Sequence, residues 1–260
     1  MDRLRQKLST IAHGDHPIAA PLHESTVRHL LDLALPHGDE RVLDLGCGEG
    51  AWLLRAAAER PGVRADGVDV SESALDLGRE RIAAAGLADR VALHQEDATT
   101  YSAPHQYDAV LCVGATHAFG GLLPTLEAAR KHLAPGGTLI VGDGFWEKAP
   151  GPEVLQVGFA EDEFMSLPNT VDQVLLDQWI PVHGHISTLA EWDEYEWAWT
   201  GTLSRWALDH AGDPDSAEAL RAAAQHREEW LRGYRGTLGF LTMLLRQAAR
   251  PEPQHTLFRH

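Results

Sequence analysis

The sequence has few of the features that would place a protein in a membrane or in an oxidising compartment. Only 2 of its 260 residues are cysteines, Cys47 and Cys112, and nothing suggests a disulfide framework. No stretch approaches the ~18 consecutive apolar residues of a membrane-spanning helix. Residues 1–7 are largely charged and lack the apolar core of a signal peptide. We therefore expect a cytoplasmic protein with no membrane partner.

Basic residues are also scarce. Lys and Arg total 22 against 38 Asp and Glu, which gives a formal net charge of −16. Binding to nucleic acid or to an anionic membrane surface depends on clustered Lys and Arg. The composition therefore argues against a nucleic-acid partner, while the length is sufficient for one large α/β domain with additions.

The most informative segment is a glycine-rich turn at residues 44–50, Asp-Leu-Gly-Cys-Gly-Glu-Gly. It follows a short apolar run at 41–43 and precedes a helix-like run at 51–58, so the order is strand, turn, helix. Glycines at such a turn let the backbone approach a ligand closely, and the amides of the following helix end face that ligand. The dinucleotide fingerprint G-x-G-x-x-G does not fit, because the third glycine comes one residue early.

Acidic residues follow the next two apolar runs. Asp69 ends the second run, where an acid of a βαβ unit can accept both hydroxyls of a ribose. Asp97 lies near the end of the third run, 91–98. Two further strand-like runs follow at 107–115 and 133–143.

These five signals, in this order, resemble the class I S-adenosylmethionine-dependent methyltransferases over roughly residues 40–144. The stretch His-Pro-Ile at 16–18, followed by Pro-Leu at 21–22, is also similar to uncharacterised bacterial small-molecule methyltransferases. The resemblance implies S-adenosyl-L-methionine as cofactor and S-adenosyl-L-homocysteine as product. It implies no particular substrate.

The resemblance also implies roles for individual residues. Asp44 would hold the ammonium group of the donor, Asp69 the ribose hydroxyls and Asp97 the adenine amino group. Val70 would pack on the adenine. The structural alternatives are a tight turn for the glycines, a cap-like role for Asp44 and an exposed turn position for Asp97. The predicted cofactor-binding residues are Asp44, Gly46, Cys47, Gly48, Gly50, Asp69, Val70, Asp97, Ala98, Val113 and His16.

Two residues are candidates for catalysis. Methyl transfer from a sulfonium is an in-line displacement, so the protein mainly aligns the reacting atoms and excludes water. A base is needed only when the nucleophile must lose a proton. His117, in the loop after strand four, is the candidate base or substrate ligand, and Asp143, after strand five, could orient a polar substrate. A loop histidine without a role is the alternative for His117.

The second half of the chain predicts a lid. Seven of the 8 tryptophans lie beyond residue 141, and a capping-box pattern at Thr188 opens a helix with aromatic residues at spacings of three and four. About 50 residues separate the sixth strand, 179–187, from the seventh, 238–246, so this helical pair is an insertion. It would cover the edge of the sheet where ligands bind, although the aromatic stripe is also typical of packing. The candidate substrate residues are His117, Trp146, Tyr195, Trp199 and His183.

The alternation of strand and helix over residues 41–144 predicts an α/β fold with a parallel sheet. With the family resemblance, we expect a Rossmann-like, doubly wound, seven-stranded and mostly parallel sheet whose last strand is antiparallel. We divide the chain into an N-terminal helical cap at 1–40 and a methyltransferase domain at 41–260. The helical lid is inserted at about 188–236.

Three alternative functions compete with this interpretation. A short-chain nicotinamide-dependent reductase needs Tyr-x-x-x-Lys, which follows none of the 4 tyrosines. A protein that binds S-adenosylmethionine without transferring its methyl group stays open, because no residue is obligatory for the chemistry. Methyltransferases of base amino groups or glutamine usually carry Asn/Asp-Pro-Pro-aromatic after strand four. Here residues 113–116 are Val-Gly-Ala-Thr, which favours a small-molecule acceptor.

A metal site is not predicted. His183 and His185 alternate along the sixth strand, so their rings would share one face. A metal would still need a further ligand, such as His13, His16 or His23.

Overall fold

The computed structural model describes residues 3–248. Within them the strands are β1 Arg41–Leu45, β2 Arg64–Asp69, β3 Val91–Gln95, β4 Tyr107–Val113, β5 Leu133–Trp146, β6 Trp179–Ile186 and β7 Leu238–Gln247. The α-helices are α1 Arg3–Ala12, α2 Glu24–Ala34, α3 Ala51–Glu59, α4 Glu72–Ala84, α5 Leu122–His132, α6 Pro152–Gln156, α7 Leu167–Leu176, α8 Leu189–Asp209 and α9 Ser216–Glu229. A 3-10 turn spans Thr116–Phe119, and a π-helical turn spans Trp230–Tyr234.

The strands form one seven-stranded sheet in the order β3-β2-β1-β4-β5-β7-β6. β7 is antiparallel to both of its neighbours, β5 and β6, and the other strands are parallel. The predicted fold class is therefore confirmed. The strand order reverses between β1 and β4, and in open α/β sheets the crevice at such a switch point, beyond the carboxyl ends of the strands, binds ligands.

Successive residues of the central strands point to opposite faces of the sheet. Val42 belongs to the core on the face covered by α2 and α3. Leu43, the next residue, belongs to the core on the face covered by α5 and α7. Because helices bury both faces, β1 is apolar almost throughout, as parallel strands usually are.

The insertion between β6 and β7 consists of α8 and α9. The predicted capping box opens α8: the amide of Glu191 donates to Thr188 Oγ1 at 3.2 Å, and the amide of Thr188 donates to Glu191 Oε2 at 2.8 Å. α1 packs on these two helices through a separate apolar cluster that includes Leu8 and Leu203. The N-terminal segment is thus fastened to the insertion.

A buried carboxylate joins the parts of the insertion. Glu196 of α8 is 1% exposed. Its Oε2 lies 2.6 Å from His226 Nε2 of α9, and its Oε1 accepts a 2.6 Å hydrogen bond from the hydroxyl of Tyr234. A buried carboxylate is costly without such partners, so these contacts fix how the helices pack.

Prolines mark the starts of two helices. α7 begins at Leu167 with Pro168 in its first turn, where a proline costs no intrahelical hydrogen bond. α9 begins at Ser216, two residues after Pro214. No helix within residues 3–248 is long and apolar enough to cross a membrane.

Candidate functional site

The turn after β1 requires glycine for two reasons. Gly46, Gly48 and Gly50 have φ values of +81°, +52° and +68°, a region that disfavours residues with a Cβ. A Cβ on Gly46 would also lie 2.4 Å from the Cβ of Ala115. The turn therefore brings its backbone against the loop after β4, at the switch point of the sheet.

Asp69, at the end of β2, fastens this turn. Its Oδ2 accepts a hydrogen bond of 2.8 Å from the amide of Gly48, and its Oδ1 accepts one of 2.8 Å from the amide of Ser71. Each carboxylate oxygen can accept more than one hydrogen bond. The carboxylate can therefore hold the turn and still accept hydrogen bonds from a ligand.

A cavity of about 350 Å³ lies over the glycine turn, and we call it the turn cavity. It is lined by most of the predicted cofactor residues: Asp44, Gly46, Cys47, Gly48, Asp69, Val70, Asp97, Ala98 and Val113. The N-terminal segment covers it with Ser9, Thr10, His13, Pro17, Ile18 and Ala19. His117 and Gly114 complete the wall on the side of β4.

Asp44 presents an unpaired carboxylate to the turn cavity. The residue is 3% exposed, and no other residue within 3–248 forms a hydrogen bond or ion pair with its side chain. Burial, and secondarily the charge of Asp69, raise the pKa of Asp44 to about 8. A buried carboxylate without a partner is unfavourable as an anion, so this position suits a cationic group of a ligand.

The far end of the turn cavity has an apolar and a polar side. Val70 is 60% exposed although it is a large apolar residue. Asp97 Oδ1 accepts hydrogen bonds from the hydroxyl of Thr99 at 2.7 Å and from its amide at 2.9 Å, and these bonds hold the pKa of Asp97 below its usual value. Within the described residues Oδ2 of Asp97 has no such bond. A flat heterocycle with an amino group fits this combination.

Two predicted cofactor residues do not line the turn cavity. The Nε2 atom of His16 lies 2.9 Å from the carbonyl oxygen of Ala20, so this ring forms a hydrogen bond within its own loop. His13, which is not among the predicted cofactor-binding residues, lines the turn cavity instead. Its Nε2 lies 3.1 Å from the hydroxyl of Tyr195. Gly50 caps α3 behind the turn.

A second cavity of about 670 Å³ adjoins the turn cavity, and we call it the Asp143 cavity. Gly114 and His117 line both cavities. The other residues that line it are Thr116, Gly120, Gly121, Leu122, Asp143, Gly144, Asp162, Glu163, Phe164, Met165, Thr170, Trp192, Leu238 and Phe240.

The two predicted catalytic residues meet at the Asp143 cavity. Asp143 Oδ1 accepts a hydrogen bond of 2.7 Å from the hydroxyl of Thr116 and one of 2.9 Å from the amide of Gly144. Burial raises the pKa of Asp143, while these bonds and His117 oppose the rise. His117 is exposed on the 3-10 turn. A histidine and a carboxylate thus line one cavity.

Trp146 and Tyr195, two of the candidate substrate residues, do not line the Asp143 cavity. Trp146 is 6% exposed, its Nε1 donates to the carbonyl oxygen of Glu161 at 3.1 Å, and it lies behind Phe164 with ring centroids 5.3 Å apart. Tyr195 contacts His13, which lines the turn cavity, but Tyr195 does not line that cavity itself. Phe164 itself lines the Asp143 cavity.

Trp199 and His183, the other two candidate substrate residues, line neither cavity. Trp199 stacks on His226 with ring centroids 4.0 Å apart, and His183 packs edge-on against His29 with centroids 5.2 Å apart. Trp192 of the same helix lines the Asp143 cavity.

The alternating histidines of β6 do not form a metal centre. Nε2 of His185 lies 3.1 Å from both carboxylate oxygens of Glu191. Over residues 3–248, no group of three or more His, Cys, Asp or Glu side chains could hold a metal ion.

Comparison with known proteins relates this sequence and fold to methyltransferases. A family model described as "Methyltransferase domain" matches residues 43–139. The Escherichia coli K12 protein YjhP is 29% identical over 230 residues, which are 83% of this chain and 88% of YjhP. A methyltransferase from Geobacter sulfurreducens, solved with S-adenosyl-L-homocysteine, superposes with a TM-score of 0.84 at 28% identity, covering 93% of this chain and 98% of that chain. One from Thiobacillus denitrificans with the same ligand gives 0.83 at 27% identity, covering 95% and 99%.

The domain match and these structural neighbours support a class I S-adenosylmethionine-dependent methyltransferase. The chain is similar in sequence and fold over nearly its whole length to YjhP and to the two methyltransferases solved with S-adenosyl-L-homocysteine.

Proposed function

We propose that this enzyme binds S-adenosyl-L-methionine in the turn cavity and transfers its methyl group to a small molecule in the Asp143 cavity. The observation that carries the proposal is the junction of the two cavities. Gly114 and His117 line both, beside the carboxyl end of β4. A donor on one side and an acceptor on the other would meet there.

The residues of the turn cavity fit each part of the donor. The unpaired carboxylate of Asp44 suits the ammonium group of the methionine moiety. Asp69 suits the ribose hydroxyls, because a carboxylate can accept both. Exposed Val70 and the free oxygen of Asp97 suit the face and the amino edge of the adenine.

The donor supplies a methyl group that its sulfonium charge already activates. The protein then has to orient the acceptor and keep water out. α1 and the loop that follows it cover the turn cavity, which supports their role in excluding water. His117, at the junction, takes the proton that a protic acceptor must lose. The size of the Asp143 cavity, about 670 Å³, suits a small molecule.

Titration calorimetry tests the donor assignment. S-adenosyl-L-methionine and S-adenosyl-L-homocysteine should each bind at one site, whereas NADH should not bind. Incubation with methyl-labelled donor and a panel of small molecules should then transfer label and release S-adenosyl-L-homocysteine. Absence of binding by both sulfur ligands would contradict the proposal. Binding without label transfer to any acceptor would instead support a binding protein without catalysis.

A further inference from the structure

The Asp143 cavity has an unbalanced set of charges. Its lining includes Asp143, Asp162 and Glu163, and none of the described residues that line it is Lys or Arg. A cavity walled by low-dielectric protein concentrates the field of such charges, which favours a cationic ligand and disfavours an anionic one. The charge pattern therefore discriminates between classes of acceptor.

Asp143 is held in position and has one oxygen to spare. Both of its hydrogen bonds, from Thr116 Oγ1 and from the amide of Gly144, converge on Oδ1. Within residues 3–248 its Oδ2 has no hydrogen-bond partner. A carboxylate fixed through one oxygen can accept an ammonium group through the other as a charge-assisted hydrogen bond.

Asp162 and Glu163 lie at the exposed rim of the same cavity. Glu163 is itself positioned, because its Oε2 accepts a hydrogen bond of 3.0 Å from the amide of Ala160. Charges at a rim mainly raise the rate at which an oppositely charged ligand arrives. The rim and the interior thus favour the same sign of ligand charge.

Aromatic and thioether side chains form the remaining walls of this cavity. Phe164, Trp192 and Phe240 provide aromatic surface, and Met165 adds a polarisable side chain. Aromatic faces attract cations and also cover the apolar body of a ligand. This lining suits an organic cation with an apolar body better than a phosphate or a carboxylate.

Building on the proposed function, we infer that the acceptor is a primary or secondary amine that enters as its ammonium ion and pairs with Asp143. The ammonium loses one proton to His117, which frees the nitrogen lone pair. That lone pair forms a bond to the methyl carbon, while the carbon–sulfur bond breaks and its electrons stay on sulfur. The products are a methylated ammonium ion, a neutral thioether and a protonated His117.

The test uses matched probes that differ only in their polar group, measured by calorimetry on the wild-type protein saturated with S-adenosyl-L-homocysteine. The pairs are phenethylamine and 2-phenylethanol, tryptamine and tryptophol, and hexylamine and hexanol, with phenylacetate as the anionic probe. In at least one pair the amine should bind about tenfold or more tightly than the alcohol. Phenylacetate should bind more weakly than both of its counterparts.

The Asp143→Asn variant should reduce the amine preference to near unity, because the amide keeps an acceptor for Thr116 but loses the charge. Glu147→Gln is the matched control, since Glu147 is exposed, follows the same strand and does not line the cavity. Unchanged affinity for S-adenosyl-L-homocysteine shows that each variant is folded.

The inference would be overturned if no pair showed an amine preference, or if the preference persisted in Asp143→Asn. If the wild-type protein did not bind S-adenosyl-L-homocysteine at all, the proposed function itself would be contradicted. The two failures can therefore be told apart.

Discussion

The amide of Gly48 donates a hydrogen bond of 2.8 Å to Oδ2 of Asp69. This contact joins the turn after β1 to the end of β2, so one carboxylate both shapes the glycine turn and faces the turn cavity. The structural role of Asp69 and its proposed ligand-binding role are therefore coupled. A ligand that adds hydrogen-bond donors to this carboxylate also stabilises the turn.

Asp69→Ala should lower the affinity for S-adenosyl-L-homocysteine by about 10- to 100-fold, because it removes charge-assisted hydrogen bonds of roughly 1.5–3 kcal/mol. Calorimetry on the purified variant measures this loss. Asp76→Ala is the control, since Asp76 pairs with Arg79 on the exposed face of α4 and does not line the turn cavity. Equal affinities of the two variants would remove the ribose assignment of Asp69.

Asp44 should make the stability of the empty protein depend on pH. Its pKa is about 8 in the folded protein against 3.8 for an unperturbed Asp. Between these values the unfolded chain has released a proton that the folded protein still holds. Its contribution to stability is therefore fully present below the lower pKa and is lost as pH rises toward the upper one.

Urea unfolding between about pH 5 and about pH 7.5 tests this expectation. Asp44→Asn should remove a slope of about 1.4 kcal/mol per pH unit relative to the wild type. A cationic group bound at Asp44 should also favour its ionised form, so the wild type should release protons on binding S-adenosyl-L-homocysteine near pH 7. Calorimetry in buffers of different ionisation enthalpy detects this release. Identical pH slopes in the two proteins would contradict the shift.

Much of the sheet was predictable because local chemistry marks each strand. The glycine turn ends β1 and Asp69 ends β2, and each follows an apolar run. The capping box at Thr188 likewise marks the start of α8. These signals depend on residues that are close in sequence, and the class of fold follows from their order.

The inner walls of the site were less predictable because they depend on distant contacts. Trp192 and Trp199 are seven residues apart and so occupy nearly the same face of α8, but they are separated by about 10 Å along its axis. Only the first reaches the Asp143 cavity, while the second lies over His226. Periodicity identifies the face of a helix and not which turn of it meets a cavity.

The choice between two nearby histidines shows the same limit. His16 and His13 both lie in the irregular segment after α1, and the His-Pro-Ile stretch at 16–18 favours His16. The Tyr195 hydroxyl, 182 positions from His13, contacts that histidine. The ring of His16 instead contacts the carbonyl oxygen of Ala20, with Nε2 2.9 Å from that oxygen.

Tyr195→Phe should speed the dissociation of S-adenosyl-L-homocysteine by about 2- to 10-fold, because a hydrogen bond that holds His13 over the turn cavity is worth about 0.5–1.5 kcal/mol. Stopped-flow displacement measures the rate. Tyr107→Phe is the matched control: its hydroxyl donates to Asp66 at 3.1 Å and it does not line the turn cavity. Equal dissociation rates in both variants would show that the contact between Tyr195 and His13 does not hold the N-terminal segment over the turn cavity.

Gly46→Ala should destabilise the protein by roughly 2–4 kcal/mol, the sum of a left-handed backbone penalty and steric overlap with Ala115. Gly86→Ala isolates the first contribution and should cost about 1 kcal/mol, since Gly86 has a φ of +70° and no atom lies within 4 Å of the place that an alanine Cβ would take. Adding Ala115→Gly to Gly46→Ala should recover the steric part, because the overlapping Cβ is gone. Urea unfolding of the single and double variants measures the coupling. If Gly46→Ala cost no more than Gly86→Ala, the close approach between the glycine turn and the loop after β4 would be wrong.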